Sequence, residues 1–152
     1  MAEIRLELDR REAPAGGRLA GIVILMVDAP STVRGLRVRL RGCEKTTAGG
    51  HVHEIVSREV VLTGREPFRS RLEALADTWR HMLGRSRYPV FQPGEYAYPF
   101  AIDLPDDLPP TARNAQHEVR YFLTAYADTP GWARRTARPA SEEIIAHPAT
   151  DP

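Results

Sequence analysis

The chain has 152 residues, 42% of them apolar, so a single domain can bury a core unaided, and its one cysteine, Cys43, excludes an internal disulfide. With 21 basic against 20 acidic residues the net charge is +1, which removes any whole-molecule field for nucleic-acid binding. No apolar run approaches the roughly 20 residues of a membrane span, and the charges alternating through "MAEIRLELDRREAPAGG" leave no signal-peptide core, so a cytoplasmic protein with at most peripheral membrane contact is expected.

The segment "EIRLELD" alternates Ile4, Leu6 and Leu8 with Arg5, Glu7 and Asp9, the period of a strand with one wet face. "RLAGIVILMV" is apolar on both faces, which predicts a central strand or one covered on both sides. In "VRGLRVRLRG" the alternation sharpens, with Leu36, Val38 and Leu40 facing one way and Arg37, Arg39 and Arg41 the other. "VHEIVSREVVL" adds another strand. "FRSRLEALADTWRHMLG" breaks the pattern: Leu72, Leu75, Trp79, Met82 and Leu83 form one apolar stripe, predicting an amphipathic helix over 68–83 with Gly84 as its stop.

Beyond the helix, Pro93 and Gly94 make a turn, and Tyr96, Tyr98, Phe100 and Ile102 point into one layer. Pro99, with no N–H, places this strand at an edge or a bulge, and Pro105, Pro109 and Pro110 end it. "EVRYFLTAYAD" and "SEEIIAH" complete about seven strands with no strand-helix alternation. That pattern predicts an all-β, immunoglobulin-like antiparallel sandwich over 1–147 with one short helix, followed by a frayed tail at 148–152.

Four of these stretches, in order, resemble the N-terminal domain of arrestin-like proteins: "APAGGRLAGIVIL", "VRGLRVRLRGCEKT", "PGEYAYPFAIDLPDDLPPTA" and "EVRYFLTAYAD". The helix just before the proline-rich strand resembles the single helix of that domain. More distantly, the chain is similar to bacterial sporulation-control proteins of the same fold. The resemblance implies a non-catalytic, cofactor-free scaffold that binds a protein or peptide partner, acidic or phosphorylated, through a sheet edge and basic loops. Arg10 and Arg11 resemble the basic pair that follows the first strand, and Arg80 stands near the helix end that is basic in the receptor-binding branch. Glu142 and Glu143 stand where that branch carries an arginine. The family pairs two such domains, so a homodimer that rebuilds the second lobe is a further expectation.

Other clusters invite chemistry. "GWARRTARPA" places Trp132, Arg134, Arg135 and Arg138 on a loop suited to recognition or to plain connection. His51 and His53 share a strand face and, with Glu54 or Glu59, would supply the ligands of a metal-dependent β-sandwich enzyme, the alternative reading. Exposed loop histidines are the plainer account, because "PGEYAYPF" offers no further histidine. Cys43 reads as a small buried side chain rather than a nucleophile, and Asp106 and Asp107 as a turn pair. No nucleophile elbow, phosphate-cradling loop or dinucleotide fingerprint occurs. Arg34, Arg37, Arg39 and Arg41 read as a solvated face paired to acids such as Glu7 or Asp9, or else as a stripe for an acidic partner. Arg71, Arg80, Arg85 and Arg87 surround the predicted helix with charge that suits anionic headgroups. Lys45 is the only lysine, an arginine bias read as the codon composition of a bacterium-like proteome.

Overall fold

A computed structural model describes residues 2–33, 35–46, 50–64, 79, 90–128 and 138–149. In chain order its strands are β1 (Ala2–Leu8), β2 (Glu12–Pro14), β3 (Arg18–Val27), β4 (Ser31–Thr32), β5 (Gly35–Thr46), β6 (Val52–Gly64), β7 (Val90–Phe91), β8 (Gly94–Asp103), β9 (Ala112–Arg113), β10 (His117–Asp128) and β11 (Ala140–His147). The long ones coincide with the alternating and apolar runs of the sequence. The two- and three-residue strands β2, β4, β7 and β9 carry no readable period, because a period needs several residues to show. Of the helix expected over 68–83, only Trp79 lies among the described residues, helical and exposed.

Two sheets form the layers. The smaller runs β1–β3–β8, and the larger runs β2–β11–β10–β5–β6 with β9 beside β10; β4 and β7 pair separately. Among the described residues every pairing is antiparallel except β2 on β11. The arrangement is the sandwich that the sequence predicts, with its core where the inner rows meet. Leu36, Val38 and Leu40 of β5 lie fully buried, as do Leu19, Val23 and Leu25 of β3; burial of a leucine contributes about 2 kcal/mol.

β3 shows why a strand is apolar on both faces. Its inward residues are core, while Ala20, Ile24 and Met26 are half-buried on the outer side and Ile22 is 39% exposed. It is central rather than covered, lying between β1 and β8. β1 comes so close to it that a Cβ on Gly21 would stand 2.3 Å from the Glu7 carbonyl oxygen. Gly42 in β5 plays the matching part opposite, since its Cβ would meet the Tyr121 ring at 2.4 Å. The Tyr121 ring occupies that space, and its hydroxyl donates to the Pro109 carbonyl, fastening the proline-rich loop to the larger sheet.

Candidate functional site

The outer face of the larger sheet carries the arginine row. Arg37 is 1% exposed, not solvated. Its Nη1 donates to Glu59 Oε1 at 2.9 Å, and the Tyr126 hydroxyl donates to the other Glu59 oxygen. Burial pushes the Glu59 carboxyl up, but the hydrogen bonds from Tyr126 and Arg37 and the charges of Arg37 and Arg39 outweigh it and hold it below its ordinary value. Burial first, then the Glu59 hydrogen bond, pushes Tyr126 up to about 12. Further along, Arg39 Nε donates to Ser57 Oγ at 3.2 Å and Arg41 Nε to Glu54 Oε2 at 2.8 Å. The acids that answer this row therefore come from β6, the next strand. Glu7 and Asp9 belong to the opposite layer or its margin, which corrects the pairing expected from the sequence.

The residues of the metal reading are separated by backbone geometry. In the pairing of β5 with β6, Gly42 faces Val56 while Cys43 faces Glu54, so Ile55 is a bulged residue. That extra residue reverses the faces, and His53 and Glu59, six apart and nominally in phase, fall on opposite sides of the sheet. His53 lies 3.5 Å from Glu44, on the side of the core row, and His117 also contacts Glu44. Glu59 is engaged by Arg37 and Tyr126. His51 is exposed just before β6. Among the described residues no group of three His, Cys, Asp or Glu side chains converges as metal ligands. Cys43 is half-buried on the outer face rather than in the core, beside a depression of about 200 Å³ shared with Lys45, Val52 and Phe122.

Among the described residues four strands end the two sheets: β1 and β8 in the smaller, β2 and β6 in the larger. β2 has three residues. β8 carries Pro99 in mid-strand, opposite Ile22, as its missing N–H predicts for an edge. β6 is long, 13 residues, but it is bulged at Ile55 and again at Leu62. Arg58 reaches from its rim to the Asp103 carbonyl at 2.9 Å. Bulges and charges of this kind turn an edge away from further pairing.

β1 is built differently. Its seven residues pair with β3 in unbroken register, from Ala2 against Val27 to Leu8 against Gly21, without proline or bulge. Asp9 N–H donates to the Ala20 carbonyl at 3.0 Å, continuing that register. Antiparallel ladders alternate, so the backbone groups of Glu3, Arg5 and Glu7 face β3 and those of Ala2, Ile4, Leu6 and Leu8 face the other way. Among the described residues no strand pairs on that side. Beyond its end stand Arg10 and Arg11, both exposed; Arg11 lies 3.5 Å from Glu142, and Arg10 has no ion pair among the described residues.

The family description "Arrestin (or S-antigen), N-terminal domain" matches residues 4–147. The chain belongs to the arrestin family. The HECT-type ubiquitin ligase-interacting protein apyA of Emericella nidulans is 29% identical over 70% of this chain and 28% of its own length. A Schizosaccharomyces pombe protein named as an arrestin-related trafficking adapter is 26% identical over 81% of this chain and 24% of its own. This arrestin chain thus spans under a third of the length of either curated relative. Both are fungal and lend no support to the bacterial source inferred from arginine usage. The sporulation control protein Spo0M of Bacillus subtilis shares the fold, with a TM-score of 0.66 at 16% identity over 96% of this chain and 49% of that one.

Within the arrestin frame the acids of β11 have clear partners. Glu143 receives two hydrogen bonds from Arg120, at 2.9 and 3.0 Å, and the Arg120 guanidinium also sits 5.0 Å above the Phe122 ring. Glu142 is the partner of Arg11. Of the basic residues singled out for partner binding, Arg10 and Arg11 follow the end of β1, where the Arg11 carbonyl accepts from the Ile145 N–H of β11, whereas Arg80, Arg134 and Arg135 lie outside the described residues. The two β6 bulges and the burial of Arg37 leave no mark in the sequence, because neither changes composition or alternation.

Proposed function

We propose that this arrestin-family chain is a non-catalytic, cytoplasmic adaptor module that takes an extended segment of a protein partner as an added strand on β1. The observation that carries the reading is the contrast among the edges: β1 alone of the four described edges is long, regular and free of proline and bulge. Strand addition draws affinity from main-chain hydrogen bonds, and those of Ala2, Ile4, Leu6 and Leu8 are directed outward. Arg10 and Arg11, exposed just past the end of β1, favour an acidic or phosphorylated segment that runs off that end, because its oxygens suit the guanidinium fork. Among the described residues the Arg11 guanidinium, 71% exposed, makes one ion pair, with half-buried Glu142, a kind of pair worth under about 1 kcal/mol and easily exchanged. The names of the relatives, a ligase-interacting protein and a trafficking adapter, support protein partners.

The test is a titration with an extended acidic peptide and its phosphorylated form, followed by amide hydrogen exchange. The expected result is new protection at Ala2, Ile4, Leu6 and Leu8, weakened by Arg10→Glu and by added salt. Binding that leaves β1 amides exchanging as before, or protects β6 instead, overturns the assignment of the edge.

A further inference from the structure

We infer that the open β1 edge also pairs, antiparallel, with β1 of a second copy of this chain, about a two-fold axis at Leu6. The inference rests on the reading of β1 as the docking edge and names one occupant of it. In an antiparallel pair, residues opposite each other project to the same face, so a two-fold pairing must be centred on a residue and not between residues. Charge then rules out the centre at Arg5, and apolar cover decides between the others. Centred on Arg5, the strand sets Arg5 against the partner's Arg5 and Glu3 against the partner's Glu7, all like charges. Centred on Leu6, it sets Arg5 against the partner's Glu7 twice over by symmetry. These are non-hydrogen-bonded positions, where opposing Cα atoms are about 4.5 Å apart and side chains meet most closely.

Backbone and apolar groups fit the same register. Leu6 faces the partner's Leu6, and Ile4 faces the partner's Leu8, each at a position whose N–H and C=O point to the open side. Along β1 the inward side chains become less covered, from buried Ile4 to half-buried Leu6 and Leu8. Pairing at Leu6 covers the two that the monomer leaves partly open. Pairing at Ile4 also opposes Glu3 to the partner's Arg5 but leaves Leu8 outside the ladder. The like-charged match in the Leu6 register, Glu3 with the partner's Asp9, also occurs twice, but it lies at the two ends of the ladder, past Leu8, where both carboxylates are exposed to water. The outcome is one sheet of six strands across two chains. It uses the edge that a partner segment would use, so self-pairing and docking compete, and the small area of an edge contact keeps the self-pairing weak enough to be displaced.

Sedimentation equilibrium over rising concentration, into the millimolar range, tests this. The wild type is expected to pass from monomer to dimer. Arg5→Glu and Glu7→Arg, each reversing two symmetry-related pairs on exposed side chains, weaken association about tenfold or more. The double variant R5E/E7R restores it. Concentration-dependent protection of the Leu6 amide reads the same pairing in the unaltered chain. A wild type that stays monomeric overturns self-pairing while peptide protection of β1 still decides the docking reading by itself. A dimer indifferent to both single reversals, or one that the double variant does not recover, overturns the register and places association on another surface.

Discussion

β1 and β6 are both edge strands of the described sandwich, and they are kept in place by different physics. β6 is fastened by charge: Glu59 is clamped between buried Arg37 of β5 and Tyr126 of β10, and Arg58 ties the rim to Asp103. Its bulges and ionic groups make it a poor template for another strand. β1 is fastened by close backbone approach over Gly21 and by an apolar inner row, with its polar backbone on the other side uncommitted to any described strand. An edge secured by side chains on its outer face is closed to pairing, whereas an edge secured through its neighbour alone is left open. The adaptor reading depends on that difference.

The largest effect should come from breaking the clamp on β6. Arg37→Ala removes a guanidinium that is 1% exposed, strands Glu59 and Tyr126, and leaves a void, at a cost of about 3 kcal/mol. Chemical denaturation measures the loss. Hydrogen exchange should place it at β6 and the facing half of β10, with β1 unchanged. Loss spread equally over both edges would show that the two are not fastened separately.

The converse change is Gly21→Ala. Its methyl group would need the space of the Glu7 carbonyl oxygen, so β1 must move away from β3, an overpacking worth about 2 kcal/mol. Protection should fall across Ala2–Leu8 and stay at Val52–Gly64. The same variant should bind partner peptides less well, because a displaced β1 no longer presents its backbone in register. Intact peptide binding in Gly21→Ala would move the docking site off β1.

The difference between these edges was half legible in the sequence. The alternation of Ile4, Leu6 and Leu8 with charged residues marks β1 and its faces, and Pro99 marks β8 as a strand at an edge or a bulge. Both follow from local chemistry, a period of two and a missing N–H, though the missing N–H leaves edge and bulge equally open and the pairing with β3 decides for the edge. The bulges of β6 were invisible because a bulge inserts a residue without altering residue type, and one inserted residue was enough to separate His53 from Glu59. Alternation puts Arg37 on the outer face, where it lies, yet it tells only which side a residue takes, not whether that side is covered. The partners of the arginine row were misjudged for a related reason. Register across strands depends on which strands are neighbours, and β6, not β1, lies beside β5.

The clamp also predicts a pH response that β1 does not share. Glu59 titrates below its ordinary value of 4.5 in the folded chain, so its contribution is complete above that value and is lost as pH falls below it toward the folded one. Tyr126 is raised from 10.0 to about 12, so its contribution is complete below 10.0 and is lost as pH climbs from there to about 12. Glu59→Gln should flatten the acid limb of the stability profile. Tyr126→Phe should shrink the alkaline limb without removing it, since Tyr121 is raised to about 12 as well, chiefly by burial. Thermal melts across pH measure both. Acid and alkaline loosening should register first in β6 amides; if β1 loosens first, the clamp is not what titrates.

The smallest expected change in stability is the most telling for function. Arg11 lies 3.5 Å from Glu142 with a side chain that is 71% exposed, so Arg11→Ala should shift unfolding by no more than about 0.5 kcal/mol. An exposed pair of this kind contributes little to the fold, which leaves the guanidinium available to exchange Glu142 for an oxygen of a ligand. Affinity for an acidic peptide should then fall several-fold in Arg11→Ala, and its salt dependence should become shallower, as one fewer cation meets the ligand. Glu142→Gln should act in the opposite direction, because it frees Arg11 without removing it. Peptide titrations of the two variants at two ionic strengths separate a cation that serves the docking edge from one that only decorates the end of β1.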